Sequence, residues 1–246
     1  MSTPESTGLP PGENRLVEYY CRRAPSYEQI YYRDDPVRQK ELAAESQRVQ
    51  ELAADRQVLD IPCGTGYWLQ RMSASARSIV AADISREMLI EARRKEAGCP
   101  VDLVQSSLEQ LPFSPGAFDL IALGFWLSHQ PRQTYAVFFE SIAQLAGRDG
   151  LIWMIDNNPS AEGNGRDPVG YDEFGNHHTR RRLPDGREFV ILKNYFTEPE
   201  LREVFGRRFR IERLSYGECY WSVVLRVGRG PVSDPAAEPT DTVGGS

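Results

Sequence analysis

Short apolar runs alternate with amphipathic helical patterns along most of the chain. Such alternation is typical of a parallel sheet flanked by helices. Strands are predicted at 57–61, 78–83, 101–105, 118–123 and 151–156. Two further alternating segments, 208–214 and 219–227, surround the turn Ser215-Tyr216-Gly217 and predict that the sheet finishes with an antiparallel hairpin. The pattern as a whole predicts an α/β fold.

Several predicted helices have recognisable end signals, of the kinds that cap helices in proteins generally. The pair Asp35-Pro36 and the capping box of Thr197 and Glu200 each predict the beginning of a helix. Two further helices are predicted to begin at Ser85 and near Arg132 and to end at Gly98 and Gly147, respectively. These helices lie between the predicted strands, so we expect helices on both faces of the sheet.

The segment 13–227 is predicted to be a single domain, because no linker-like stretch divides it. The ends, 1–12 and 228–246, are rich in Pro, Gly, Ser and Thr and are predicted to be disordered tails. Within the domain, 13–55 are expected to form an N-terminal helical lid. Residues 157–195 are expected to form a substrate-side insertion that contains a β-hairpin.

Composition narrows the class of protein. Of 246 residues, 40% are hydrophobic and 26% are charged, which is an ordinary globular composition. The chain has no apolar run long enough to span a membrane, no secretory-signal layout at its start and no C-x-x-C pair. We therefore expect a cytoplasmic protein without a metal site. The net charge of −6 argues against a nucleic-acid partner, and the sequence leaves a homodimer open.

The most informative segment is the loop that follows the first predicted strand. Gly64 and Gly66 stand where glycines let a nucleotide approach the backbone closely. The third glycine of a dinucleotide fingerprint and the Gly-Lys-Ser/Thr of a phosphate loop are both absent, which disfavours a pyrophosphate ligand. Asp83, at the end of the next strand, is placed to accept both hydroxyls of a ribose. Asp60, just before the loop, is suited to an ammonium group.

Four segments extend this pattern in order between 58 and 156: VLDIPCGTGYW, AADISREML, LEQLPF and GAFDLIALGFWLSH. As a series they resemble the motifs of the class I S-adenosylmethionine (SAM)-dependent methyltransferases. The resemblance implies a Rossmann-like, seven-stranded, mostly parallel sheet with an antiparallel last strand. It also implies SAM as the cofactor and S-adenosylhomocysteine (SAH) as its product.

The resemblance assigns the parts of the cofactor to particular residues. Asp60, Gly64 and Gly66 would hold the methionine moiety, Asp83 would bind the ribose, and Ile84 and Met88 would flank the adenine. Where the family often has an acidic residue, this chain has Ser106-Ser107-Leu108, and a serine hydroxyl can serve the adenine amino group. The complete predicted set is Tyr20, Asp60, Gly64, Gly66, Asp83, Ile84, Met88, Ser107, Leu108 and Gly124.

Two features predict where a methyl acceptor would bind. The lid contains five tyrosines between 19 and 32, whose rings either pack or offer hydrogen bonds. In the insertion, Pro184-Asp185-Gly186 is a turn, and pairing about it puts Arg182 opposite Glu188. The same register sends His177, Arg181 and Lys193 to the opposite face with Phe189 and Ile191. Three cationic donors on one face suggest an anionic acceptor, whereas the alternative is a solvated basic hairpin.

His129 follows the fourth predicted strand and is the candidate catalytic residue, although it could instead only order its loop. The combined layout is similar to the small phosphonate O-methyltransferases of natural-product biosynthesis. That similarity implies an acceptor site formed by Tyr19, Tyr32, His129, Arg181 and Lys193. We therefore expect O-methylation of an anionic phosphonate or carboxylate. The alternatives are an amine or phenol acceptor, a non-catalytic SAM-binding partner protein and, least favoured, an RNA methyltransferase.

Overall fold

The computed structural model describes residues 13–108, 111–159 and 167–228. The predicted tail 1–12 lies outside the described residues, as does the predicted tail 228–246 apart from Gly228. Ten strands are described: β1 Gln57–Asp60, β2 Ser78–Asp83, β3 Val101–Gln105, β4 Leu120–Gly124, β5 Leu151–Asn157, β6 Pro168–Tyr171, β7 His177–Arg182, β8 Glu188–Leu192, β9 Arg210–Tyr216 and β10 Tyr220–Arg226. The α-helices are α1 Glu13–Arg23, α2 Pro36–Ala53, α3 Tyr67–Met72, α4 Arg86–Ala92, α5 Tyr135–Ala146 and α6 Glu198–Gly206. Three 3₁₀ helices span Ala24–Tyr32, Leu127–His129 and Arg132–Thr134.

Seven strands form the central sheet, in the order β3-β2-β1-β4-β5-β10-β9. The pairs β1–β2, β2–β3, β1–β4 and β4–β5 are parallel, and β10 is antiparallel to both of its neighbours. This topology confirms the predicted mostly parallel sheet with an antiparallel last strand. Because the carboxyl ends of the parallel strands meet at one edge, the loops after β1, β2, β4 and β5 lie together.

Both faces of the sheet are buried, as its apolar strands predict. In β1, Val58 points into a core that includes Val49 of α2, whereas the next residue, Leu59, points into a second core with Phe139 and Phe205. The two cores lie on opposite faces, because successive side chains of a strand alternate. Helices therefore cover both faces, as predicted.

The predicted helix starts are confirmed at Asp35, Ser85 and Thr197, whose side chains accept backbone N–H groups of their own first turns. The predicted close at Gly98 is wrong, because α4 ends at Ala92. Gly98 meets a different requirement. A Cβ there would lie 2.8 Å from the Ser73 carbonyl oxygen, so only glycine allows this close approach.

The turn between β9 and β10 lies later than predicted. Tyr216 still belongs to β9, and the N–H of Gly217 donates to the carbonyl of Tyr220. The cause is Glu41 of α2, whose carboxylate accepts the three successive N–H groups of residues 218–220 at 2.7, 3.1 and 3.0 Å. Since Glu41 is distant in sequence, this contact could not be predicted from the local pattern.

The insertion forms a separate three-stranded sheet, β6-β7-β8. Its hairpin has the predicted register, with Arg182 opposite Glu188, and the two side chains form an ion pair. The third strand, β6, was not predicted. Helix α1 packs on β8, where the Tyr19 and Phe189 ring centroids are 5.7 Å apart. The lid and the insertion are thus in direct contact.

Within the described ranges, the structure contains no helix with the length and apolar character needed to cross a membrane.

Candidate functional site

Asp60 is a buried carboxylate at the carboxyl end of β1. It is 1% exposed, and neither of its oxygens has a hydrogen-bond partner among the described residues. Burial, together with the nearby negative charge of Asp83, raises the pKa of Asp60 well above its ordinary value. A buried carboxylate in this state is stabilised by a cation that binds against it. Asp60 therefore fits the ammonium group that the sequence assigned to it.

Asp83 joins the glycine loop to the turn after β2. Its carboxylate accepts the N–H of Gly64 at 2.9 Å and the N–H of Ser85 at 2.8 Å. Burial raises the pKa of Asp83 to about 6, although these backbone hydrogen bonds oppose the shift. Gly64 and Gly66 have positive φ, and a Cβ on Gly64 would meet nothing within 4 Å. The backbone here can be approached closely by a ligand.

The remaining predicted cofactor residues differ in their surroundings. Ile84 is 44% exposed and so is accessible to a flat ring, whereas Met88 is buried beneath the same turn. Ser107 and Leu108 are partly buried. Gly124 ends β4 against the indole of Trp68, where a Cβ would lie 2.5 Å from the ring. The roles of all five in binding the cofactor stay predictions.

The lid lies directly over the glycine loop. The Tyr31 ring stacks on Tyr67 with centroids 3.7 Å apart. Glu28 accepts a hydrogen bond from Thr65 at 3.3 Å and one from the Lys95 ammonium at 2.7 Å. The sequence analysis missed these partners, since they are brought together only by folding. The lid therefore covers the predicted cofactor residues as well as the predicted acceptor residues.

A cavity of about 710 Å³ opens between the lid, the insertion and the carboxyl end of the sheet. Its cationic lining residues are Arg23, Arg33, Arg38, Arg180, Arg181, Arg182 and Lys193. Its aromatic ones are Tyr19, Tyr20, Tyr27, Tyr31, Phe125 and Tyr220, joined by His129. None of the described residues that line it is acidic. A cavity with cationic walls attracts anions, because low-dielectric surroundings concentrate its field.

Four of the five predicted acceptor residues line this cavity: Tyr19, His129, Arg181 and Lys193. Tyr20, which was predicted to bind the cofactor, lines it too. The fifth predicted acceptor residue, Tyr32, does not line this cavity and is 63% exposed at the surface. The cavity also contains cations that the sequence analysis did not select, such as Arg38. Arg38 lies in an amphipathic helix, where one more arginine carries no distinguishing signal.

His129 is held by hydrogen bonds at both ring nitrogens. Its Nδ1 lies 2.6 Å from the carbonyl oxygen of Leu192, and its Nε2 lies 2.7 Å from the hydroxyl of Tyr20. A carbonyl only accepts, so Nδ1 carries a proton, whereas the direction of the hydrogen bond between Nε2 and the Tyr20 hydroxyl depends on the protonation of the ring. Burial raises the pKa of Tyr20 well above its ordinary value, which keeps its hydroxyl protonated. Both side chains line the cavity.

Lys193 is buried and paired, which the sequence alone did not show. Its ammonium lies 2.9 Å from Asp156 and donates to the Ser128 hydroxyl at 2.7 Å. Burial opposes ionisation of Asp156, but the Lys193 charge, with His129 and the Ser128 N–H, holds its pKa below the ordinary value. Lys193 therefore reaches the cavity with its charge already balanced by a carboxylate.

His177 was grouped with Arg181 and Lys193 on one face of the hairpin. It is buried, but it lines a second cavity of about 520 Å³ beside Arg132 and Tyr171. Its Nδ1 lies 3.0 Å from the backbone carbonyl of Lys193. The fold therefore separates His177 from Arg181 and Lys193, which line the 710 Å³ cavity.

Comparison with known proteins identifies the domain. Residues 58–150 match a family model described as a methyltransferase domain. A structure of DhpI in complex with SAH superposes on 88% of this chain and 98% of that chain, with a TM-score of 0.69 and 25% identity. Residues 58–150 therefore resemble a methyltransferase domain, and the chain has the Rossmann-like fold of SAM-dependent methyltransferases. A second DhpI structure, with SAM and HEP, has a TM-score of 0.67 and 24% identity, and covers 87% of this chain and 96% of that chain.

Similarity to curated proteins is confined to part of the chain. The demethylmenaquinone methyltransferase of Lactococcus lactis subsp. lactis is 34% identical over 107 residues. That match covers 41% of this chain and 42% of the relative, so the chain spans less than half of that relative's length.

The residues present fit SAM. The sulfonium nucleoside carries an ammonium group, which suits the unpartnered carboxylate of Asp60. Its ribose hydroxyls suit Asp83, whose carboxylate has lone pairs beyond those used by Gly64 and Ser85. The open space over Gly64 leaves room for the ligand beside the loop.

Proposed function

We propose that this protein transfers the methyl group of SAM to an oxygen of a small anionic acceptor, a carboxylate or phosphonate of natural-product biosynthesis. The observation that carries the proposal is the lining of the 710 Å³ cavity, which includes seven cationic residues and no acidic one among the described residues. Four of the seven, Arg38, Arg180, Arg182 and Lys193, are also paired with carboxylates outside that lining. Guanidinium groups match the paired oxygens of carboxylates and phosphonates. The similarity to DhpI over nearly its whole length supports the same architecture around the acceptor.

When bound, SAM supplies an electrophilic methyl group on a sulfonium. The protein's contribution is to hold an acceptor oxygen in line with that methyl group, at the distance of a near-attack geometry. An ionised oxygen needs no general base, so Arg181 would act by orienting the acceptor. The lid tyrosines would exclude water from the same space once the acceptor is bound.

The ion pair of Lys193 matters for reactivity. A strong uncompensated cation on the attacking oxygen would lower its nucleophilicity and stabilise the ground state. Because Asp156 lies 2.9 Å from the ammonium, Lys193 can offer a hydrogen bond without a full unbalanced charge. This arrangement favours positioning over tight ground-state binding.

A second candidate is methylation of a neutral hydroxyl or amine. It is favoured by the hydrogen bond between Tyr20 and His129 Nε2, both of which line the cavity. In that case His129 would accept the proton that the acceptor loses. Such an enzyme would lose activity as His129 becomes protonated, whereas one acting on ionised acids would not.

The deciding experiment is a mass-spectrometric methyl-transfer assay with SAM and a panel of phosphonates, carboxylates, phenols and amines. We expect methyl esters of the acids. Arg181→Gln should raise the KM for the acid while the Kd for SAM is unchanged. The matched control is Arg202→Gln, which removes an exposed arginine paired with Glu198 on α6.

Methylation of amines or phenols alone would instead support the second candidate. Tight SAM binding without transfer to any acceptor would favour a non-catalytic SAM-binding protein.

A further inference from the structure

The seven cationic residues that line the 710 Å³ cavity differ in how their charges are balanced. Four of them form ion pairs with carboxylates: Arg38, Arg180, Arg182 and Lys193. Arg23 forms no ion pair among the described residues, and its one side-chain hydrogen bond there runs from Nη1 to the Tyr19 hydroxyl at 2.9 Å. No carboxylate of the described residues therefore balances the charge of Arg23.

Two aromatic rings hold the Arg23 guanidinium in place. Its central carbon lies 5.4 Å from the ring centroid of Tyr27 and 5.7 Å from that of Tyr19. Such contacts orient a guanidinium, but a phenol is neutral near pH 7 and brings no negative charge. Burial raises the pKa of Tyr27 to about 12, which keeps this phenol neutral. Arg23 thus has a defined position and an uncompensated charge.

The edge of the Arg23 guanidinium formed by Nε and Nη2 is available to a ligand. Neither nitrogen donates a hydrogen bond to a described residue. Two parallel N–H groups on one edge of a guanidinium match the paired oxygens of a carboxylate or phosphonate. The Tyr27 ring beside Arg23 contacts the Tyr20 ring, whose hydroxyl lies 2.7 Å from Nε2 of His129. An anion at Arg23 would therefore lie on the same side of the cavity as the candidate catalytic residue.

The neighbouring residue Arg22 shows that helix position alone does not account for Arg23. Both arginines lie in the last turn of α1, where a positive charge is favourable. Arg22 is exposed and forms an ion pair with Glu18 at 2.8 Å, whereas Arg23 is partly buried and lines the cavity. Arg22 is therefore a matched control for the charge of Arg23 at the end of the helix.

We propose that Arg23 binds the anionic group of the acceptor, so that a residue of the lid acts with Arg181 of the insertion to select a small carboxylate or phosphonate. Arg23 is in this account a specificity-determining residue, and the rings of Tyr19 and Tyr27 position it. This inference rests on the proposed function, since it concerns the acceptor of the same methyl transfer.

The first test measures acceptor binding without turnover, by calorimetry in the presence of SAH, which has no methyl group to transfer. Ethylphosphonate and butanoate are compared with butanamide, which carries no charge. We expect Arg23→Gln to weaken the binding of both acids by about tenfold to 100-fold, as for a lost hydrogen bond to a charged group. The Kd values for butanamide and for SAH alone should stay within about twofold of the wild type. Arg22→Gln should bind all four ligands as the wild type does.

A second test uses the wild-type chain. Phenylglyoxal modifies accessible guanidinium groups, and mass spectrometry of chymotryptic peptides measures the modification of Arg22 and Arg23 separately. At about ten times its Kd, ethylphosphonate should slow the labelling of Arg23 by about tenfold, because only the unoccupied site reacts. The labelling of Arg22 should not change, and butanamide should protect neither residue.

The failures of the inference and of the proposed function are distinguishable. If the acids are methylated, then unchanged acid binding in Arg23→Gln, or unprotected labelling of Arg23, would overturn the inference and leave the proposed function intact. Equal weakening of acids, butanamide and SAH in Arg23→Gln, with a lowered unfolding midpoint, would show a structural role and also overturn it. If Arg23→Gln does not fold, the labelling result decides. Neither binding nor methylation of any acid by the wild type would overturn the proposed function and this inference together.

Discussion

Replacing Lys193 with methionine tests whether the buried ion pair is a structural element of the site. The substitution keeps an unbranched side chain of similar length but removes the ammonium. Asp156 is fully buried, and Lys193 is 3% exposed, so neither water nor salt can replace the lost charge. Asp156 would retain the N–H groups of Ser128 and Asn157 at 2.9 and 2.8 Å. Its carboxylate would be hydrogen-bonded but without its closest cation.

The size of the effect follows from the geometry. Opposite charges 2.9 Å apart attract by about 6 kcal/mol at an effective dielectric constant of about 20. Desolvation of both groups offsets much of that attraction in the native protein, whereas removing one partner leaves the other buried and uncompensated. We therefore expect Lys193→Met to lower the free energy of unfolding by about 3–5 kcal/mol. The double variant Lys193→Met with Asp156→Asn should recover more than half of the loss.

Urea unfolding followed by circular dichroism measures these differences, and pH supplies a second signature. In the wild type, the lowered pKa of Asp156 stabilises the fold above the unfolded-state pKa of about 4, and this contribution is lost in acid. In Lys193→Met, burial should raise that pKa, so ionisation destabilises the variant as pH rises. The deficit should therefore be small near pH 4 and large at pH 8.

A deficit below about 1 kcal/mol would refute the reasoning, because that is the value of an exposed ion pair. A deficit independent of pH would show that lost packing, rather than an uncompensated carboxylate, causes the destabilisation. Arg181→Gln is the matched control on the same face of the hairpin, and we expect it to change the unfolding free energy by less than about 1 kcal/mol.

Three further predictions concern ligands. Arg181→Gln should raise the KM for the acceptor by about tenfold to 100-fold in steady-state kinetics, while the Kd for SAM measured by calorimetry stays unchanged. Equal weakening of acceptor binding and SAM binding would contradict an acceptor role. The affinity for SAM should rise as the pH rises through about 6, because Asp83, with its pKa of about 6, and Asp60 bind the ligand better when they are ionised. Calorimetric titrations from pH 5 to 8 measure this dependence. A Kd for SAM that does not change with pH would count against it. His129→Gln should lower kcat less than about tenfold if the acceptor is an ionised acid, but by about 100-fold or more if His129 is the general base. In the second case, the pH–rate profile of the wild type would also show a loss of activity as His129 becomes protonated.

The local pattern of apolar residues was sufficient to predict most strands of the central sheet. Each central strand was predicted within two or three residues, because buried parallel strands are continuously apolar and glycine or proline separates them from helices. The hairpin register was also predictable, since the turn Pro184-Asp185-Gly186 determines which residues pair. The errors lie where a distant residue decides the local structure. Gly98 serves the approach to Ser73, and Glu41 moves the β9–β10 turn.

The candidate site residues also fall into two groups, those that the sequence indicated and those that only the fold brought together. The sequence alone indicated the cofactor end, because Asp60, Gly64, Gly66 and Asp83 lie within 24 residues and meet at the ends of two adjacent strands. It also indicated that the insertion carries cations. Only the tertiary structure showed that Lys193 is paired with Asp156, that His177 faces another cavity and that Arg38 lines the 710 Å³ cavity. Those properties depend on contacts between residues far apart in the chain, and a charge pattern records the presence of a cation without its partner.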